Sequence, residues 1–176
     1  MREKLLDPTG ASERGVDTTL APRLRSLRGL TAGLLENGKP NASVLLTETG
    51  RELCQRYGVR DFVLYRKGYF GTPVEESLIQ RILHHCDFAV AALHEPQSPI
   101  AASLADGILL ERAGVPAVSI CTDPFVLTAG AMARNYGFPG FEYVTIPHPV
   151  ASLSTAQIRD RVRGMLPGLL RILGVE

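Results

Sequence analysis

The sequence has no apolar run of the length, about 20 residues, that spans a bilayer. Met1 to Ser12 carries charges and Pro8 where a secretory leader needs an unbroken apolar stretch. Both absences predict a cytoplasmic chain. There is also little charge of one sign: 19 Lys and Arg against 18 Asp and Glu leave a formal +1, so no overall field draws the chain onto nucleic acid or an anionic membrane, and neither partner is expected. Cysteine is scarce and odd in number. Cys54, Cys86 and Cys121 contain no CxxC pair, which argues against a disulfide framework and a zinc knuckle. His94, Glu95, Cys121, Asp123 and His148 are metal-ligating types, but no two have a diagnostic spacing such as HxxxH, so no metal is expected. The phosphate-binding P-loop and the dinucleotide GxGxxG pattern are missing too, and no cofactor is expected.

What is present is an ordinary globular composition, 45% hydrophobic and 21% charged over 176 residues, enough for one domain. Short apolar runs alternate with helical periodicity, the pattern of an α/β protein with a mainly parallel sheet. The strand runs are Thr31 to Leu35, Phe62 to Arg66, Phe88 to Leu93, Ala117 to Cys121 and Tyr143 to Ile146. Between them, helical spacing predicts Ala42 to Tyr57 with Asn41 as N-cap and Gly58 as stop, and Val74 to Cys86. It also predicts a helix opened by Ser98 and Pro99 and ended at Gly114, one over Phe125 to Tyr136, and a last helix opened by a Ser154/Gln157 capping box and kinked or split at Pro167. The expected architecture is a single three-layer domain over residues 30–176, Rossmann-like or flavodoxin-like, with about five mainly parallel strands and helices on both faces. Residues 1–29 are expected to form an extended arm that packs on the domain or on a partner subunit, making a homo-oligomer the expected assembly.

In such a sheet the carboxyl ends of the strands share one edge, where ligands bind. Glu36, Asn37, Lys39 and Asn41 surround Gly38 before a helix, a turn that can hold an anionic group with Lys39 as countercharge; it reads equally as a solvated turn with Asn41 as cap. Glu95 suits a general base and His94 an acid or base, against the simpler roles of a helix-end charge and a solvent-facing histidine. Ser98 has the position of a helix cap. Cys121 is a buried thiol or a reactive one. Thr122 and Asp123 precede Pro124, and Asp123 either caps a helix or binds a ligand hydroxyl or amine. His148, stiffened between Pro147 and Pro149, is an acid/base or ligand candidate or an ordinary loop histidine.

Six segments carry a family resemblance: Leu6-Asp7-Pro8-Thr9-Gly10, Leu20-Ala21-Pro22-Arg23-Leu24, Leu35-Glu36-Asn37-Gly38-Lys39-Pro40-Asn41, Leu110-Glu111-Arg112-Ala113-Gly114-Val115-Pro116, Cys121-Thr122-Asp123-Pro124-Phe125 and Pro147-His148-Pro149. From about Leu5 to Val150 the chain resembles the UGSC-type (seleno)protein family, itself distantly like the selenoprotein subunits of glycine reductase. That family's motif, Gly-Asp, then selenocysteine or cysteine, then Gly-Ser-Cys, falls here on His94-Glu95-Pro96-Gln97-Ser98-Pro99. Only Ser98 is kept, and both chalcogen positions are proline. The resemblance therefore implies a retained pocket without its nucleophile. One expectation is an enzyme re-tasked for non-redox acid/base chemistry, an elimination, hydration or cyclisation of a small carboxylate- or carbonyl-bearing substrate. Glu95, His94 and His148 would be catalytic, with Asn37, Lys39, Asn41, Ser98, Thr122 and Asp123 around the substrate. The alternative is a noncatalytic subunit pairing with a cysteine-bearing UGSC-type homologue.

Overall fold

The computed structural model describes residues 15–69, 71–94 and 102–175. Five strands, β1 (Thr31–Glu36), β2 (Asp61–Arg66), β3 (Phe88–His94), β4 (Ala117–Thr122) and β5 (Val144–Ile146), form one sheet in the order β2-β1-β3-β4-β5. Every pairing is parallel, and the order is that of flavodoxin-like folds, whose ligand crevice opens where β1 and β3 diverge. The helices are α1 (Ala42–Tyr57), α2 (Glu76–His85), α3 (Ala102–Arg112), α4 (Val126–Asn135) and α5 (Thr155–Leu173).

Alternation along the strands builds the three layers. Phe88, Val90 and Ala92 of β3 share a core with Leu45, Leu46 and Leu53 of α1 and Ile158, Val162 and Leu169 of α5. Ala89 and Ala91 between them face the other side, with Leu78, Ile79 and Ile82 of α2 and Leu110 of α3. Burying one such leucine or isoleucine stabilises the fold by roughly 1.5–3 kcal/mol. Helix α3 is buried around most of its girth, at Ala102 to Ile108, Leu110 and Glu111. Gly107 allows its close approach to the sheet: an added Cβ would overlap Ser119 Oγ and sit 3.1 Å from Phe141 Cζ.

Three expectations need correction. Helix α5 is not split at Pro167 but continues through it as one span; buried Met165, Leu166, Leu169, Leu170, Ile172 and Leu173 on both sides of the proline hold it to the core, outweighing a penalty of about 3 kcal/mol. Helix α2 begins at Glu76, after Val74: Glu75 ahead of it is extended, at a ψ of 144°, and the Val74 N–H donates to Asp106 Oδ1 at 2.7 Å. A 3-10 turn, Asp123–Phe125, precedes α4. By contrast, the Ser154/Gln157 capping box is formed, and Gly58, at a φ of 72°, ends α1. Ser98 and Pro99 lie outside the described residues.

Residues 15–29 cross their own domain. Asp17 N donates to Gly137 O, Ala21 N to Glu111 Oε2 and Leu24 N to Leu173 O, Arg23 pairs with buried Glu111, and Leu27 enters the core. Among the described residues no helix is long and apolar enough to cross a membrane.

Candidate functional site

The first polar turn follows β1. Asn37, 6% exposed, donates from Nδ2 to Ser103 Oγ on α3 at 3.1 Å and accepts the Lys39 N–H on Oδ1 at 3.3 Å. This fixes the turn, with Gly38 at a φ of 74° and Lys39 half-buried. Glu36 is buried and paired with the largely exposed Arg66. Asn41 departs from its expected capping role. It has a φ of 62° and makes no side-chain cap; Nδ2 donates instead to the carbonyls of Val150, Ala151 and Leu153, at 3.0, 3.1 and 2.9 Å. The left-handed backbone turns the amide off the helix end, so its nitrogen ties the β1 loop to the segment after β5 and is occupied as a ligand donor.

At the neighbouring strand ends, His94 closes β3 and pairs in register with Cys121 of β4, after a register shift that begins at Ala91. Glu95 and Ser98 lie outside the described residues. Cys121 is fully buried among Leu104, Ile108, Ala129, Ala133, Phe138 and Phe141, and burial pushes its thiol up to about 12. A thiol so placed stays protonated at neutral pH and acts as a small core residue. Thr122 is also fully buried, which sets it beneath the edge, behind the exposed Asp123.

Asp123 Oδ1 accepts the backbone N–H of His148 at 3.0 Å, joining the β4 and β5 loops. The ring of half-buried His148 places Nδ1 out of solvent with no hydrogen-bond partner among the described residues. Native structures leave few buried polar atoms in that state, and a ligand is one way to complete them. Asn37 to Ser103, Asn41 to Val150, His94 to Cys121 and Asp123 to His148 thus bring the ends of β1, β3, β4 and β5 together along one edge. Among the described residues there is no cluster of three metal-ligating side chains.

Sequence reasoning missed the most buried charges here. Lys67, directly after β2, places Nζ 2.7 Å from Asp106 Oδ2, and Asp106 Oδ1 takes the Val74 N–H. Burial pushes the Asp106 carboxyl up to about 6, against the opposing pull of Lys67 and the Val74 amide. One turn earlier on α3, Ser103 accepts from Asn37, and its carbonyl accepts from Ser119 Oγ. The available signal was a serine and an aspartate three residues apart in the otherwise apolar stretch 102–110 of α3.

No curated protein matches the chain. The sequence model of the UGSC family matches residues 4–175, nearly the whole length and every loop of the edge described above, and the chain therefore belongs to the UGSC family.

Proposed function

We propose that this protein is an enzyme of non-redox acid/base chemistry acting on a small carboxylate- or carbonyl-bearing substrate, by elimination, hydration or cyclisation. The observation that carries the reading is the buried Nδ1 of His148, without a hydrogen-bond partner among the described residues, on a loop held by Asp123 at the edge where ligands of this topology bind. Lys39 and the amides around Asn37 take the substrate's anionic group. Glu95, next in sequence after β3, takes a proton from the carbon beside the carbonyl; the electron pair moves into the carbonyl, and His148 or His94 returns a proton to the product or to the leaving group. The buried, protonated state of Cys121 and the prolines at 96 and 99 support a route without thiol chemistry.

A second reading is favoured by those same two prolines: a subunit without activity of its own that completes the pocket of a cysteine-bearing UGSC homologue. The two separate in one experiment. The purified chain is incubated in D2O with a panel of small 2-oxo and 3-hydroxy acids, and exchange at the carbon beside the carbonyl or carboxylate is followed by proton NMR. The enzyme reading expects exchange above the buffer rate, lowered about 100-fold or more in Glu95→Gln and displaced to higher substrate concentration in Lys39→Ala. Exchange absent from the chain alone and present only with the homologue establishes the subunit reading, and sedimentation of the pair reads their association directly.

A further inference from the structure

We infer that Lys67 and Asp106 are positioning residues for the candidate site, acting through α3 and Ser103 on Asn37 and the Lys39 turn. The consequence for catalysis rests on the acid/base reading; the geometry does not. The side chains of this pair are 2% and 1% exposed. Among the described residues, every other ion pair leaves at least one partner 29% or more exposed. Removing both charges from water is expensive, and well-packed apolar residues of similar volume commonly match or exceed the stability of such a pair. Stability is therefore a weak account of why charges stand here.

Their location supplies a better one. The Lys67 N–H donates to Glu36 O at 3.1 Å, next to Asn37. Two tethers then leave the ends of adjacent strands for the same face of α3: Asn37 to Ser103 from β1, and Lys67 to Asp106 from β2, one helical turn apart. Asp106 also takes the Val74 N–H, so the segment between β2 and α2 is bound to the same point. Ion pairs and hydrogen bonds fix direction where apolar contacts tolerate sliding. Ser103, held in this way, aims its hydroxyl at Asn37, whose Oδ1 sets the Lys39 amide. The ends of β1 and β2 and the first turns of α3 become one rigid seat for the anion-binding turn, a support that such sites require.

The test uses the full chain carrying Lys67→Met with Asp106→Leu, read by melting temperature, by amide hydrogen exchange at Lys39 and by the affinity for pyruvate as probe. Folding close to the parent is expected, with Lys39 exchanging at least 10-fold faster and pyruvate bound at least 5-fold more weakly. Ser103→Ala should reproduce the Lys39 effect. Arg159→Ala, which breaks an ion pair between α1 and α5, should leave it unchanged. A folded double variant with parental Lys39 exchange overturns the inference, as does an equal effect from Arg159→Ala. If the double variant fails to fold, Asp106→Asn, which keeps an oxygen for the Val74 N–H, decides by the same Lys39 reading. Should the parent itself not bind pyruvate, the anion site proposed above fails for that acid, while Lys39 exchange still decides the positioning role.

Discussion

Two of the regions where this molecule buries charge do it differently. Between α1 and α5, Glu48 and Glu52 are almost fully covered, but Arg159 and Arg163 opposite them remain 42% and 54% exposed. Those arginine side chains keep about half of their exposure to water, so the pairs knit two helices at a smaller desolvation cost. Beside α3, Lys67 and Asp106 have both left water. The first arrangement suits a surface seam and the second suits a fixed geometry, and the two should respond to substitution on different scales. The largest effect is expected from Lys67→Met alone, which strands the Asp106 carboxylate: about 3–5 kcal/mol of stability by urea unfolding. A loss under about 1 kcal/mol would place this pair in the same class as the helix seam and dissolve the contrast.

Next in size is Gly107→Ala. The new methyl would meet Ser119 Oγ and Phe141, and Ser119 is held by its bond to the Ser103 carbonyl. Overpacking of this kind costs about 1–3 kcal/mol. If the methyl is accommodated by moving Ser119, the amide of Lys39 should also lose protection, because Ser103 is shared by both connections.

The same contrast explains what could be read in advance. Local signals carried the elements: the short apolar runs of β3 and β4, the glycine stop of α1 and the Ser154/Gln157 box each depend on neighbours within a few residues, and each is realised. Strand order was not legible, because alternating units are compatible with more than one order; the sheet has the flavodoxin-like one. Where long-range bonding competes with a local signal, reading failed. Asn41 looked like a cap but bonds carbonyls 109 to 112 residues away, and Val74 looked helical but gives its N–H to Asp106, 32 residues on. Asn37, Asp123 and His148 were legible as polar residues at strand ends, while their partners were not. Lys67 and Asp106 were invisible because a lysine after a strand and an aspartate on a helix usually mark solvated surface. Glu95 and Ser98 lie outside the described residues, so their roles stand on sequence.

Titration separates the two regions by sign. The Asp106 carboxyl lies at about 6 in the fold, above its ordinary 3.8, with burial the leading cause. Between those values the folded chain holds a proton that the unfolded chain has released, so this group's contribution to stability falls as pH rises from about 4 to about 6. Asp106→Asn should remove that slope, visible as a flatter plot of urea midpoint against pH over the same interval. A parent whose midpoint rises throughout this interval, with Asp106→Asn superposed on it, would mean that Lys67 offsets the desolvation completely.

The smallest expected effect belongs to the helix seam. Glu48 is held below its ordinary 4.5, chiefly by the hydrogen bond from Arg159, with burial opposing. A lowered carboxyl contributes stability that is present above the ordinary value and lost as pH falls through the folded one, the reverse of Asp106. Arg159→Ala should therefore lower the urea midpoint slightly near pH 7 and leave it equal to the parent's once acid has protonated Glu48. Because Arg159 is exposed to solvent, the difference at pH 7 should also shrink in 1 M salt, where charges are screened within about 3 Å. The effect of Lys67→Met, made in a dry site, should persist at that salt. A seam that resists salt as firmly as the α3 pair would show that hydration of the arginines is not what divides the two regions, and that the difference lies in hydrogen-bond geometry alone.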